Sequence, residues 1–564
     1  MDPANNTPAP IGFDDPYNRT NQIWPELSED QINRAKPYGV LEDLPKGTSV
    51  FKRGERHSDF FIVLHGTIEV FEHAAEGTKI ITVHKKGEFT GELDMFNDRE
   101  ILVSGCMGED GRVLRLSRSQ FRKLVTAEND IGEIILQAFI LRRLGLVSRG
   151  QASVMLISDG LSADTMRLER FLEKNNYPLE MLQSQEEKAR QLLQKFNSEN
   201  AQLPAVVLHN KEQILCNPSN LELALALGLV EQIQPDHVYD VAIIGAGPAG
   251  LSAAVYASSE GLSTILVETE APGGQAGTSS KIENYLGFPL GISGQNLAGR
   301  AQVQAHKFGA TIALPYTVQR LNCDQQPYQL QLDNDQQIQT KTIIVTTGAR
   351  YRKLDLPNEA KFEGAGIYYA ATAMEGAVCK GEEVVVIGGG NSAGQAAVFL
   401  SGFASHVHIL VRGESLAATM SDYLIQRIHA SGKITLHPYT EVTALAGNRF
   451  LEQVTWKNRQ TGETEVKNIH HLYLMIGAIP NTQLVKDCLK LDSKGFILTG
   501  PEASDNTRPL NRPTMMLETS IPGVFAAGDV RAGSIKRVAS AVGEGAMAVS
   551  QIHQALADLV VEKV

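Results

Sequence analysis

Apolar and polar positions divide this 564-residue chain into blocks of different period. Residues 1–22 are rich in Pro, Asn and Asp and show no period, which predicts a flexible tail. From 23 to about 130, apolar residues alternate in short runs such as 60–64 and 67–71, broken by Gly54, Gly66, Gly77, Gly87 and Gly91. Alternation of that kind predicts a β-rich unit. Helical spacing follows over 118–128 and 130–146, the second marked by Ile131, Ile134, Ile135, Ala138, Phe139 and Leu141. Between 151 and 232, strand and helix patterns alternate: a strand at 154–157, helices at 163–175 and 186–196, strands at 203–208 and 213–216, then a helix through Leu221, Leu225 and Leu227. That order predicts a small α/β domain, with 232–237 as a linker. Beyond it, two β-branched runs, 241–244 and 384–387, each lead straight into glycines.

Composition narrows the class. A chain of 564 residues is too long for one core and predicts roughly three or four domains. Its 43% apolar and 21% charged residues are those of an ordinary soluble protein. No apolar run is long enough to span a membrane, and the first residues lack a signal-peptide pattern. A net charge of −12 argues against nucleic acid as the main partner. The five cysteines (Cys106, Cys216, Cys323, Cys379, Cys488) include no C-x-x-C, which excludes a disulfide scaffold and a zinc ribbon, predicts no metal site and suits a reducing cytoplasm.

The glycine runs carry the chemistry. The first reads Gly245-Ala-Gly247-Pro248-Ala249-Gly250 and the second Gly388-Gly-Gly390-Asn391-Ser392-Ala393. Each is a strand turning tightly into a helix whose first N–H groups can hold a pyrophosphate. Gly245 permits the turn, Gly247 lets backbone approach the phosphates, and Gly250 lets helix and strand pack closely. Glu268 ends the next strand, 21 residues after Gly247, where a carboxylate can accept from ribose hydroxyls. After the second motif the corresponding strand ends at Arg412, a cation suited to a 2′-phosphate, so NADPH is favoured and NADH is the alternative. Two dinucleotides in one chain imply electron transfer between them. Near the C-terminus, Gly523-Val-Phe-Ala-Ala-Gly528-Asp529 is a strand delivering one Asp just after a glycine.

With these motifs, residues 238–564 resemble a low-molecular-weight thioredoxin reductase. Pro272-Gly-Gly274-Gln275, Ile282-Glu-Asn284-Tyr-Leu-Gly287, Thr346-Thr-Gly348-Ala349 and Gly477-Ala-Ile-Pro-Asn481 extend the match. The resemblance implies FAD held by 238–350 and 473–564, an NAD(P)H domain inserted at 351–472, and a homodimer. It also implies that Asp529 faces the ribityl chain and that Gly274, Gln275 and Asn284 lie beside the flavin. Lys536-Arg537-Val538-Ala539 would occupy a turn near the isoalloxazine.

One element of that family is missing. Where its active-site dithiol belongs, the chain reads Tyr369-Ala370-Ala-Thr-Ala373-Met374, with alanine at both cysteine positions. Alanine has no thiol chemistry, so the usual disulfide-reductase route does not carry over. Cys379, beside Lys380, and Glu375 are the remaining catalytic candidates, though a structural thiol and a solvated carboxylate are the plainer readings.

The block at 23–150 resembles a cyclic-nucleotide-binding domain through its β-roll pattern and Gly91-Glu92-Leu93. Arg99 comes early, however, and Glu100-Ile101-Leu102 stands where an Arg-x-Ala belongs; a carboxylate there would repel a cyclic phosphate. The block at 151–232 resembles a thioredoxin fold, with a cis proline expected at Pro204 and Ser162-Ala-Asp-Thr165 in place of redox cysteines. Without thiols its remaining task would be partner docking. The expected architecture is therefore a multidomain α/β chain: an N-terminal β-roll with helices, a small thioredoxin-like domain, then two Rossmann-like FAD and NAD(P)H domains. The expected function is NAD(P)H oxidation through FAD to oxygen, a quinone, ferredoxin or another small molecule. The alternatives are a flavin-based redox or nucleotide sensor and a divergent reductase that uses partner thiols.

Overall fold

A computed structural model describes residues 20–561 except 56–57, 75–76, 92–100, 102, 149–153, 161, 176, 178, 199–201, 209–212, 280–281, 283–284, 324–325, 370, 372–375, 377, 449 and 505–511. The chain forms two compact units. One takes the described residues up to Gly348 and from Thr482 onward; the other is Ala349–Asn481.

The first unit begins with two small antiparallel sheets. Val40–Leu44, Gly111–Leu116 and Phe60–His65 make one; Ser49–Phe51, Ser104–Met107, Ile68–Ala74 and Gly77–His84 make the other. The alternating runs supply an inner face, and Phe60, Phe89, Phe121 and Phe139 meet on it with ring centroids 4.6–6.4 Å apart. Helix Arg118–Ala127 starts where a capping box forms: the Gln120 N–H donates to Ser117 Oγ and Ser117 N–H to Gln120 Oε1. Helix Asn129–Ser148 follows at once.

The middle block is a four-stranded sheet in the order Gln213–Cys216, Ala205–Leu208, Val154–Ser158, Leu179–Gln183. The last two strands are parallel and the others antiparallel. Helices Ala163–Lys174, Glu187–Lys195 and Asn220–Ala226 accompany it, and the Leu203–Pro204 peptide is cis. The expected linker at 232–237 is not a free tether. Leu229, Val230 and Ile233 are buried in one apolar cluster that runs from Phe171, Leu172 and Val206 into Val241, Ile243 and Val345. The reason is burial: an apolar helix and sheet face left uncovered by so small a block is covered by the next domain.

That next domain is built on a sheet ordered Thr311–Ala313, Thr264–Val267, Val238–Ile244, Gln337–Val345, Tyr328–Leu332, Val318–Asn322, with Val524–Ala526 pairing parallel to Gln337–Val345. The first four strands are parallel, and the stretches 241–244, Thr264–Val267 and 342–345 are buried throughout, which explains their apolar, β-branched-rich runs. Helices Pro248–Ser259 and Val538–Val561 pack together on it.

The second unit has a parallel sheet ordered Ile367–Tyr368, His471–Leu474, Glu383–Ile387, His406–Leu410, Ile434–His437, beside an antiparallel sheet of Thr440–Ala446, Gln453–Asn458 and Thr464–Lys467. The expected return to the FAD domain at 473 is corrected here. His471–Leu474 is bonded to Glu383–Ile387, and Ala478–Pro480 pairs with Ala349–Tyr351, so this unit runs to Asn481. Among the described residues no helix is long and apolar enough to cross a membrane, and no group of His, Cys, Asp and Glu is arranged to hold a metal ion.

Candidate functional site

In the first unit, strand Val238–Ile244 ends at Gly245, whose φ of +104° only glycine adopts freely. A Cβ on Gly250 would lie 1.9 Å from the Gly245 carbonyl oxygen, so helix Pro248–Ser259 can approach the strand only with glycine there. Gly247, the N-cap of that helix, differs: nothing lies within 4 Å of where its Cβ would be. Two of the three glycines thus close the turn, and the third faces open space at a helix N-terminus.

Long-range contacts complete this end of the sheet. Glu268 accepts the Ala246 N–H at 2.7 Å on Oε2 and the Glu270 N–H at 3.1 Å on Oε1, which fixes its carboxylate beside the turn. A Cβ on Gly274 would stand 3.0 Å from Gly247 Cα, so helix Gly274–Gly277, which includes Gln275, begins against the fingerprint. From the C-terminal segment, Gly528 sits against Ala249, with 3.1 Å between its ideal Cβ and that of Ala249. Glu544 accepts the Gly528 N–H at 2.7 Å and pairs with Arg531 at 2.6 Å, holding the turn that presents Asp529. Asp529 is half-buried and makes no side-chain hydrogen bond among the described residues. Burial pushes its carboxyl up, Lys536 lowers it and Glu544 raises it, for a net upward shift.

Arg537 and Val538 lead into helix Val538–Val561, which touches helix Pro248–Ser259 closely: Ser252 Oγ donates to the Val542 carbonyl at 2.8 Å. Gly348 follows the Gln337–Val345 strand with φ +68° and open space at its Cβ position. Asn284 lies outside the described residues. An open N-terminus, a fixed carboxylate and an unpaired half-buried carboxyl converge from segments almost 300 residues apart. That donor and acceptor set fits a dinucleotide.

Sequence reasoning missed what anchors Glu268 from behind. Glu270 accepts Arg170 at 2.5 Å and Lys174 at 2.6 Å, both from helix Ala163–Lys174 of the middle block, while Asn175 Nδ2 donates to the Glu270 carbonyl at 3.0 Å. Burial alone would raise the Glu270 carboxyl, but Lys174 and Arg170 together hold it below its usual value. No local pattern marks this pairing, since its partners are about 100 positions away.

In the second unit, Glu383–Ile387 runs into Gly388, where a Cβ would meet the Met475 carbonyl at 2.4 Å. Gly390 caps helix Asn391–Leu400; Asn391 and Ser392 are exposed at its start and Ala393 is buried. Asn391 Oδ1 accepts the Ser421 N–H at 2.7 Å and Thr419 Oγ1 donates to the Gly389 carbonyl at 2.7 Å, tying the next loop to the fingerprint. Arg412, just after strand His406–Leu410, is exposed and without an ion pair or hydrogen bond among the described residues. Val411 beside it comes within 3.6 Å of the Gly389 Cβ position.

Ala370, Ala373 and Glu375 lie outside the described residues. Cys379 is fully buried in an apolar cluster and donates to the Gly376 carbonyl. Burial pushes its thiol up, which accords with the plainer reading of a structural thiol over one activated by Lys380. In the N-terminal domain, Gly91 has φ +106°, and Glu92 lies outside the described residues. Arg142, unremarked in the sequence, is buried and donates to the carbonyls of Gly91 at 2.9 Å, Phe89 at 3.2 Å and Ile23 at 3.0 Å, its guanidinium 4.6 Å from the Trp24 ring centre. His84 is buried nearby, and burial pushes its pKa down to about 4.

Known proteins match this arrangement. Residues 239–545 match the family described as pyridine nucleotide-disulphide oxidoreductase, and residues 41–128 match the cyclic nucleotide-binding domain. The thioredoxin reductase of Bacillus subtilis is 33% identical over 330 residues, 57% of this chain and 96% of its own length. The NADPH-dependent thioredoxin reductase 3 of Arabidopsis thaliana is 34% identical over 319 residues, and this chain spans 57% of that protein. The solved thioredoxin reductase of Streptococcus pyogenes is 32% identical and aligns with a TM-score of 0.49, covering 57% of this chain and 99% of its own. With two fingerprints on two parallel sheets and more than half its length in the match, the chain belongs to the pyridine nucleotide-disulphide oxidoreductase family, as a thioredoxin-reductase-like, FAD-dependent NADPH oxidoreductase that carries a cyclic nucleotide-binding domain.

Proposed function

We propose that this chain delivers electrons from NADPH to an acceptor other than a dithiol in its own inserted domain: dioxygen, a quinone, ferredoxin or another small molecule. The observation that carries this reading is Ala370 and Ala373 at the dithiol positions, with the neighbouring Cys379 sealed in the core. FAD, when bound, supplies the two-electron to one-electron chemistry that such acceptors need. The protein's own residues bind and orient. The N–H groups after Gly247 receive a pyrophosphate, Glu268 accepts from ribose hydroxyls, and Asp529 meets the ribityl chain. By the resemblance, Gly274, Gln275 and Asn284 would lie beside the ring, with Arg537 and Val538 near it. Gly388 to Ala393 receive the second pyrophosphate, and Arg412 pairs with a 2′-phosphate.

The middle block is best read as a thioredoxin-like domain without thiols. Its strand order and cis Leu203–Pro204 support this, and Ser162 caps the helix where redox cysteines would stand. For the N-terminal domain, a structural or protein-contacting β-roll is the favoured reading, with a cyclic nucleotide at Gly91 and Glu92 as the alternative that the family match keeps open. Anaerobic stopped-flow reduction of the purified protein by NADPH and NADH tests the main proposal, followed by mixing with oxygen, ferredoxin, quinone and thioredoxin in turn. Fast reoxidation by one non-thiol acceptor is expected; exclusive turnover with thioredoxin overturns it. A second reading, a flavin-based sensor, draws on the packing of the middle block and FAD-type domain around one core. Slow turnover with every acceptor, with a nucleotide-dependent change in shape, would favour it.

A further inference from the structure

Two of the five cysteines that are scattered in sequence converge in the first unit. Cys323 follows strand Val318–Asn322 and Cys488 lies in the turn after the chain returns at Thr482; they are 165 positions apart. Their sulfurs are 3.9 Å from each other, the Cys323 thiol donating to Cys488 Sγ. Cys488 Sγ also approaches the Val485 carbonyl at 3.6 Å, within a turn closed by Cys488 N–H and Leu489 N–H on that same carbonyl. Cys323 is buried at 5% exposure, whereas Cys488 is half-buried and so the one a small oxidant can reach. A disulfide bond is about 2.05 Å long, so the sulfurs need to close by roughly 2 Å. A change of side-chain rotamer at the half-buried partner is the size of motion required.

We infer that Cys323 and Cys488 form a reversible dithiol–disulfide site, oxidised by hydrogen peroxide. The Cys488 thiolate attacks one peroxide oxygen, breaking the O–O bond, to give a sulfenic acid and water. The Cys323 thiolate then attacks the Cys488 sulfur and expels the hydroxyl as a second water. Two thiols and one peroxide become one disulfide and two waters, and the two thiol protons leave in the water. The bond joins the two chain segments that flank Ala349–Asn481, closing that inserted unit into a covalent loop. The other thiols have no such neighbour: Cys216 is exposed and lacks a cysteine partner, and burial pushes the thiols of Cys106 and Cys379 up.

The test is non-reducing peptide mapping of the full-length holoprotein after brief peroxide exposure and alkylation. The expected result is a linked pair of peptides containing Cys323 and Cys488, a whole-protein mass loss of two hydrogens, and recovery of both thiols with dithiothreitol. Cys488→Ala and Cys323→Ala should each abolish the linked pair. Oxidation confined to Cys216, a crosslink between other cysteines, or Cys488 carried to sulfinic acid with Cys323 still a thiol overturns the inference. The wild-type map alone decides these, so a variant that fails to fold does not obscure the answer.

Discussion

Two of the three glycines of the first fingerprint permit a separation of stability from binding. In Gly250→Ala the new Cβ would meet a backbone oxygen, Gly245 O, at 1.9 Å, and Thr346 Oγ1 at 2.7 Å. Real contacts stay near 3 Å, so the turn must open by roughly 1 Å, and overpacking of that kind costs about 1–3 kcal/mol. Replacing a helical glycine returns about 1 kcal/mol of propensity, leaving a net loss of up to about 2 kcal/mol. Gly247 has φ −69° and ψ −177°, which alanine adopts, and open space around its Cβ position. Gly247→Ala therefore costs the apoprotein only about 0.5 kcal/mol, from the weaker N-cap. Yet its methyl would stand where a pyrophosphate must approach the first helical N–H groups. Loss of one hydrogen bond to a charged ligand, at about 1.5–3 kcal/mol, weakens FAD by roughly ten- to a hundredfold. Urea unfolding of the full-length apoprotein gives the first quantity and FAD titration by flavin fluorescence the second. A Gly247→Ala protein that binds FAD like wild type, or that loses more apo-stability than Gly250→Ala, would refute the reasoning.

Other expectations follow from single side chains. Arg412→Ala should raise the KM for NADPH by roughly tenfold or more and leave that for NADH unchanged, read by steady-state flavin reduction. His84 is neutral in the fold, with its pKa lowered from 6.5 to about 4. The unfolded chain binds the extra proton between those values, so stability is intact above 6.5 and falls as pH drops toward 4. The loss is about 3 kcal/mol, and His84→Gln should flatten that slope in thermal melts. Glu518 is fully buried and accepts Arg512 Nη1 at 2.7 Å, Arg512 Nη2 at 2.9 Å and two backbone N–H groups. Arg512→Met leaves that carboxylate uncompensated and should destabilise the first unit by roughly 3–5 kcal/mol in urea melts. Glu270→Gln removes the charge that Arg170 and Lys174 hold below its usual pKa. Stability that wild type has above the carboxylate range and loses as pH falls should then be absent, about 1 kcal/mol at neutral pH in urea unfolding across pH.

Much of this molecule is legible in its sequence because the signals are local. Period-2 runs made the β-roll strands, β-branched runs made the parallel strands at Val238–Ile244 and Glu383–Ile387, and glycine spacing marked both helix N-termini. The alanines at 370 and 373, which the resemblance puts at the family's dithiol positions, are likewise a matter of residue identity. These features obey rules that reach only a few positions along the chain.

Tertiary structure decided the rest, because packing ignores separation in sequence. It brought Gly528 against Ala249, and Arg170 and Lys174 onto Glu270. The apparent linker became part of a shared core once Val230 and Ile233 found an apolar face to cover. The boundary expected at 473 moved to Asn481 because strand pairing of His471–Leu474 and Ala478–Pro480 outweighs any local turn signal. Cys379 has a lysine beside it in sequence, yet the fold buries its thiol in an apolar cluster, and that burial pushes the thiol up. Cys323 and Cys488, unremarkable in the chain, became a pair only when two distant segments folded onto one sheet. Local periodicity settles which elements form; the need to bury their apolar faces settles which side chains meet.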